Sequence, residues 1–144
     1  MYTALVEPAK IAVLLGIRRR VSSVEELERQ VDAGLPKSSL EAVARHVYGT
    51  APEAAALMLR VIPAATFHRR AEGLKPQEGE RVERLARVIA TAEQVWADED
   101  DARAFLSTPH SMLDNKRPIE VALTELGARR VENLLWSMFH GVAA

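Results

Sequence analysis

The chain is 144 residues long, 48% hydrophobic and 27% charged, with 19 lysines and arginines against 20 aspartates and glutamates. This balance excludes disorder and a collagen-like repeat and fits one compact domain or two small ones. There is no cysteine, so disulfides, thiol redox chemistry and Cys-based zinc sites are excluded, and a reducing, cytoplasmic setting is expected. A chain of this size can remove about 68–70% of its unfolded surface from water, enough for a core without covalent staples. No stretch approaches the roughly 20 apolar residues of a membrane span. Glu7 and Lys10 interrupt the apolar start, so neither a membrane partner nor a signal peptide is expected. Charge is uneven along the chain: residues 1–90 hold 14 basic and 11 acidic groups, residues 91–144 hold 5 and 9.

Apolar residues recur every three to four positions throughout, which predicts an all-α fold. Pro8–Leu15 reads as a short first helix with Ile11, Leu14 and Leu15 inward. Ser22 with Glu25, Ser38 with Glu41 and Thr50 with Glu53 have the spacing of three capping boxes, predicting short helices that stop near Gly34, before Gly49 and near Leu59. After a short Arg60-Val61-Ile62 link, Pro63 suits the first turn of a helix running to about Glu72 and ending at Gly73. The longest periodic segment is Gln77–Trp96, with Val82, Leu85, Ile89 and Trp96 on one apolar stripe. Trp96 is therefore expected in the core. The acidic run Asp98–Asp101 suits a helix N-terminus, where carboxylates meet the positive end of the dipole. Its helix would bury Ala102, Phe105 and Leu106. A polar connection, Thr108–Pro118, leads to a last helix, Thr124–His140, stopped by Gly141.

Catalytic and metal chemistry find little support. His46, His68, His110 and His140 are scattered, with no i, i+4 pair, so neither a metal nor a cofactor is expected. Ser107, His110 and Asp114 share one loop, whereas a triad draws on separate rigid elements and a buried orienting carboxylate. No enzymatic activity is expected.

Two helices joined by a short link, Thr50 to Glu72, have the makings of a helix-turn-helix, in which the second helix enters a major groove while the first braces it. Arg60, His68, Arg69, Arg70 and Lys75 could meet phosphates, and Ala64, Ala65 and His68 occupy the early positions where base edges are read. The alternative is an ordinary solvated face. At the other end, Trp136, Met138, Phe139 and His140 crowd the last helical turn, and a helix buries one stripe only. Some aromatic surface is therefore left for a protein contact.

From about Gly34 to the C-terminus the sequence resembles the Xre/MbcA/ParS antitoxins, the neutralising halves of bacterial toxin–antitoxin pairs whose toxins carry a RES-type, NAD-using domain. The residues carrying the likeness are GLPKSSLEAV at 34–43, RLARVIATAEQVW at 84–96, STPHSMLDNKRPIEVALTELGARRVENLL at 107–135 and HGV at 140–142. The resemblance implies an Xre-like helical region for DNA binding and dimerisation (1–75), a connecting helix (76–97) and a small helical toxin-binding domain (98–144). It further implies a RES-domain toxin, operator DNA and a second copy of the chain as partners, with autorepression of the operon. The implied toxin contacts are Lys116, Arg117, Arg129, Glu132, Trp136, Phe139 and His140. A DNA-binding regulator with no toxin partner is the alternative. The sequence departs from the family pattern at Val61, which replaces glycine; at Ala64 and Ala65, where basic residues are common; at Asp114-Asn115, which replace a Gly-Gly loop; and at Trp136 and Phe139, which replace a small and a polar residue.

Overall fold

Burying a stripe of apolar side chains on every segment requires each helix to find a neighbour, and the helices do so around one central member. The computed structural model describes residues 6–141. Among them are α1 (Pro8–Leu14), α2 (Val24–Ala33), α3 (Ser38–Tyr48), α4 (Pro52–Val61), α5 (Ala64–Arg69), α6 (Pro76–Trp96), α7 (Glu99–Ser107), a 3-10 turn at Ser111–Leu113, α8 (Pro118–Val121) and α9 (Glu125–Phe139). No strand occurs among the described residues, so the fold is all-α as expected. None of these helices is long and apolar enough to cross a membrane.

The helices begin close to the expected places, but other groups cap them. At α2 the box is displaced by one residue: Glu26 N donates to Ser23 Oγ at 3.1 Å, and the Glu26 carboxylate accepts from the Ser22 hydroxyl at 2.8 Å and, more weakly, from its amide at 3.4 Å. These bonds hold the Glu26 carboxyl below its ordinary range. Ser38 lies inside α3 and caps nothing, and the N-cap is Lys37, with no side-chain bond. The neighbouring Ser39 is buried and donates to Leu15 O at 2.6 Å, tying α3 to the end of α1. Thr50 is likewise no cap: Ala51 takes that position and Pro52 the first helical one, where its missing N–H costs nothing. Side-chain caps do form at Asp98, which accepts from Asp101 N, and at Thr124, which accepts from Gly127 N.

The central member is α6. Val82, Leu85, Ala86, Val88, Ile89, Ala90 and Ala92 are all buried, covering far more of its circumference than one stripe, because α1, α2 and α3 pack on it from one part of the chain and α7 and α9 from the other. Its polar groups are consequently paired. Glu93 is caught between Lys10 Nζ, at 3.0 Å, and His46 Nε2. Arg87 holds Glu83 and Glu132, each at 3.3 Å, and burial raises the pKa of both carboxyls above the usual value. At the start of α6, Glu78 accepts from Lys75 N and takes the Arg70 guanidinium in a two-pronged pair at 2.8–3.2 Å. The bonds from Arg70 hold its carboxyl below the ordinary 4.5, against the opposing effect of burial.

Two glycines are required by close approach. Gly73 has φ +114°, and a Cβ there would stand 2.9 Å from Leu35 O, the same oxygen that accepts from Leu74 N at 2.7 Å. Gly127, in the first turn of α9, packs onto the end of α8. A Cβ there would run into the Val121 carbonyl oxygen and come within 2.8 Å of Thr124 Oγ1. Gly→Ala inside a helix ordinarily stabilises by about 0.5–1 kcal/mol. Gly127→Ala is expected instead to destabilise by about 3 kcal/mol or more, since backbone cannot yield as a side chain does, and urea unfolding followed by circular dichroism measures it. A second expectation concerns pH. A carboxyl whose folded pKa is depressed contributes stability above its unfolded value and loses it as pH falls. Glu78→Gln should therefore be less stable than the parent at pH 7, with the gap closing as pH drops below about 4.5; an equal gap at pH 3 and pH 7 would contradict this role.

Candidate functional site

The helix pair begins with α4, whose Ala54, Leu57 and Val61 are buried. Val61 is the last residue of that helix and part of the core. The turn is made by Ile62 (φ −139°, ψ 126°) and Pro63 (φ −56°, ψ 145°) in extended backbone, so no residue of the link needs the left-handed conformation that glycine favours. The second helix, α5, is shorter than expected: it runs over six residues and stops before Arg70. Arg70 leaves the helix (φ −78°, ψ 85°) and its side chain reaches Glu78. No residue of α5 is buried, although Phe67 packs against the core and carries Lys37 Nζ 4.5 Å above its ring.

The candidates on this face divide into two sets. Ala64, Ala65, His68, Arg69 and Lys75 are exposed. Arg60, by contrast, points toward Glu120 of α8 at 4.0 Å, and Arg70 is committed to Glu78. Arg70, its side chain 19% exposed, is poorly placed to meet phosphates, whereas Arg60 keeps 57% of its side chain exposed.

In the C-terminal part, the turn after the 3-10 segment is a tight reversal. His110 N donates to Lys116 O at 3.1 Å and Lys116 N to Leu113 O at 3.0 Å. Asp114 and Asn115 both sit at φ +58°. They are the residue types that, after glycine, best tolerate this conformation, so the pair keeps the shape that two glycines would allow. Arg130 of α9 pins the turn through Asp114 Oδ2 at 3.2 Å.

Of the C-terminal candidates, Lys116, Arg129, Phe139 and His140 are exposed, and Arg129 lies 3.5 Å from Glu125. Arg117 is half-buried between Glu120 and Tyr48 of α3, and burial raises the Tyr48 phenol pKa, with Arg117 opposing. Glu132 and Trp136 face inward, which corrects their reading as surface contacts. Glu132 is claimed by Arg87, and Trp136, only 7% exposed, fills the space beneath Phe139 and His140, with ring centroids 5.4 and 6.3 Å away. The Trp136 indole N–H is buried without a hydrogen-bond acceptor among the described residues.

Trp96 is the opposite correction. It is 37% exposed, at the end of α6, which closes on Ala97 in a left-handed conformation. Its ring lies 6.1 Å from Phe105, which in turn meets His110 at 5.8 Å. His110 also orders the next turn, accepting from Met112 N at 3.0 Å through Nδ1. As for metals, donor atoms of His46, Glu93 and Glu99 lie within 4.8 Å of one another, but Lys10 already supplies Glu93 with the positive charge an ion would bring.

Comparison with known proteins fits this division of the fold. Residues 26–87 match the model of the antitoxin Xre-like helix-turn-helix domain, and residues 91–141 that of the antitoxin Xre/MbcA/ParS C-terminal toxin-binding domain. An antitoxin Xre of Yersinia enterocolitica is 33% identical over 101 residues, covering 67% of this chain and 68% of that protein. The chain belongs to the Xre family of antitoxins. A second antitoxin Xre, from Pseudomonas putida, is 29% identical over 85 residues, 57% of this chain and 54% of its own length. The two family regions of this Xre antitoxin meet inside α6, between residues 87 and 91, and share its core.

A test of the inward reading of Trp136 follows from its unpaired donor. An unsatisfied buried polar group costs about 1–3 kcal/mol, so Trp136→Phe removes a penalty along with some packing. Its net cost in urea unfolding is expected below about 1 kcal/mol, against the roughly 3–5 kcal/mol typical of emptying an aromatic site; a loss in that larger range would mean the N–H is satisfied after all.

Proposed function

We propose that this antitoxin neutralises a RES-domain toxin, an enzyme that consumes NAD or transfers ADP-ribose, by covering its active cleft with residues 98–144. We further propose that it represses its own operon in the cytoplasm as a homodimer bound to operator DNA. Neutralisation of this kind asks for no catalysis by the antitoxin. What carries the reading is one observation: a helix-turn-helix region and a toxin-binding region, in that order, occupy nearly the whole described chain and pack on one helix. Among the side chains left exposed in the second region, Trp96, Met112 and Phe139 are the kind that anchor protein contacts. On the first region, the exposed Arg69, His68 and Lys75 suit phosphate contacts, which give salt-sensitive affinity without sequence information.

Co-expression with the toxin encoded beside it is expected to restore growth and cellular NAD; continued arrest, with the antitoxin present and folded, would dismiss the assignment to a toxin partner and leave a DNA-binding regulator. On the DNA side, the double substitution His68→Ala, Arg69→Ala is expected to weaken binding to a fragment spanning its own promoter about tenfold and to flatten the salt dependence. Arg70→Ala is expected instead to lower the melting temperature. Unchanged gel-shift retention by the double variant would remove α5 from the interface.

A further inference from the structure

The end of α6, α7 with the turn after it, and the last turns of α9 line an open groove of about 380 Å³. Trp96 forms one wall, Phe105 and Ala104 of α7 the floor, and His110 and Met138 the other wall. It is a surface that water covers poorly: a half-open tryptophan, a phenylalanine and a methionine line it. Asp101 sits on its rim. In the acidic first turn of α7, Arg103 takes Glu99 and Asp100, at 3.8 and 3.1 Å, while Asp98 and Asp101 have no ion-pair partner among the described residues. The groove is thus apolar within and uncompensated negative at its edge.

We infer that this groove is the principal seat of the toxin on the antitoxin, receiving an apolar side chain of the toxin that has a lysine or arginine beside it. The inference rests on the antitoxin role proposed above and adds where the partner docks and what it must present. Two observations choose the toxin as occupant. Every residue of the groove falls within 91–141, the stretch that matches the toxin-binding domain. The charge at the rim also asks for a cationic partner, which excludes nucleic acid and fits a protein whose substrate is a dinucleotide bearing phosphates. The aromatic wall supplies the buried anchor on which affinity depends, and the carboxylates supply approach and orientation.

Calorimetry of the whole chain against the toxin encoded beside it, produced in a catalytically silenced form, tests this with four variants. Trp96→Ala removes the wall, Ala104→Arg fills the groove without deleting a contact, Asp101→Asn neutralises the rim, and Leu126→Ser alters the 71%-exposed leucine at the opposite end of α9. Trp96→Ala and Ala104→Arg are expected to weaken binding at least about tenfold, and Leu126→Ser to stay within about threefold. Asp101→Asn should slow association and reduce its sensitivity to salt. Both groove positions are exposed, so unchanged melting curves separate a lost contact from a lost fold; should Trp96→Ala melt early, Ala104→Arg decides. Parent chain that binds no toxin would overturn the antitoxin role itself. Parent chain that binds, with Trp96→Ala and Ala104→Arg binding equally well, would overturn the groove alone.

Discussion

Everything in this fold is arranged around one helix whose middle turns are largely covered by its neighbours. An amphipathic helix keeps a solvated face on which to place its charges; α6 has surrendered most of that face to α1, α2 and α3 on one side and to α7 and α9 on the other. Small side chains at Ala86, Ala90 and Ala92 take part in this close packing. The charged groups that remain must then be answered close at hand, as Glu93 is by Lys10 of α1 and His46 of α3, and Arg87 by Glu83 one turn away on α6 and by Glu132 of α9. Breaking one side of such a pair leaves a charge out of water with nothing opposite it, which costs far more than the pair contributes.

The same requirement separates arginines that bind a partner from arginines that hold the fold. A basic run near a helix-turn-helix invites the reading that all of it faces DNA. Arg70 is instead claimed by Glu78, closing the start of α6, while the exposed Arg60 leans toward Glu120 of α8. What is left for phosphates is a small exposed set around α5, with Lys37 steadied nearby on Phe67. The departures from the family pattern are absorbed with little strain. Val61 fits because the link is extended, and Asp114-Asn115 fit because they accept the backbone that glycines would adopt.

Much of the fold was legible in the sequence, because periodicity and breakers are local signals. The identity and order of the longer helices could be read directly, as could the acidic start of α7 and the termination of α9; the one-turn α8 and the 3-10 turn, read as a polar connection, could not. Capping was legible in kind but not in place. Whether Ser22 or Ser23 accepts, and whether Ser38 or Ser39 matters, depends on which hydroxyl a distant carbonyl such as that of Leu15 has already claimed. Periodicity put Trp96 on the correct side of α6 but carries no information on how far the covering helices extend. Glu132 looked like a surface residue for a similar reason: its partner, Arg87, is brought to it by packing. The groove itself gave no sequence signal, since Trp96, Phe105, His110 and Met138 come together only in three dimensions.

The junction between the two family regions lies within the continuous turns of α6, with no flexible stretch between them. Proteases cut where backbone is loose and exposed, and here they meet a rod packed on most sides. Removing one region while sparing the other would require opening this common interior, so a cut that reaches either region is expected to unfold both.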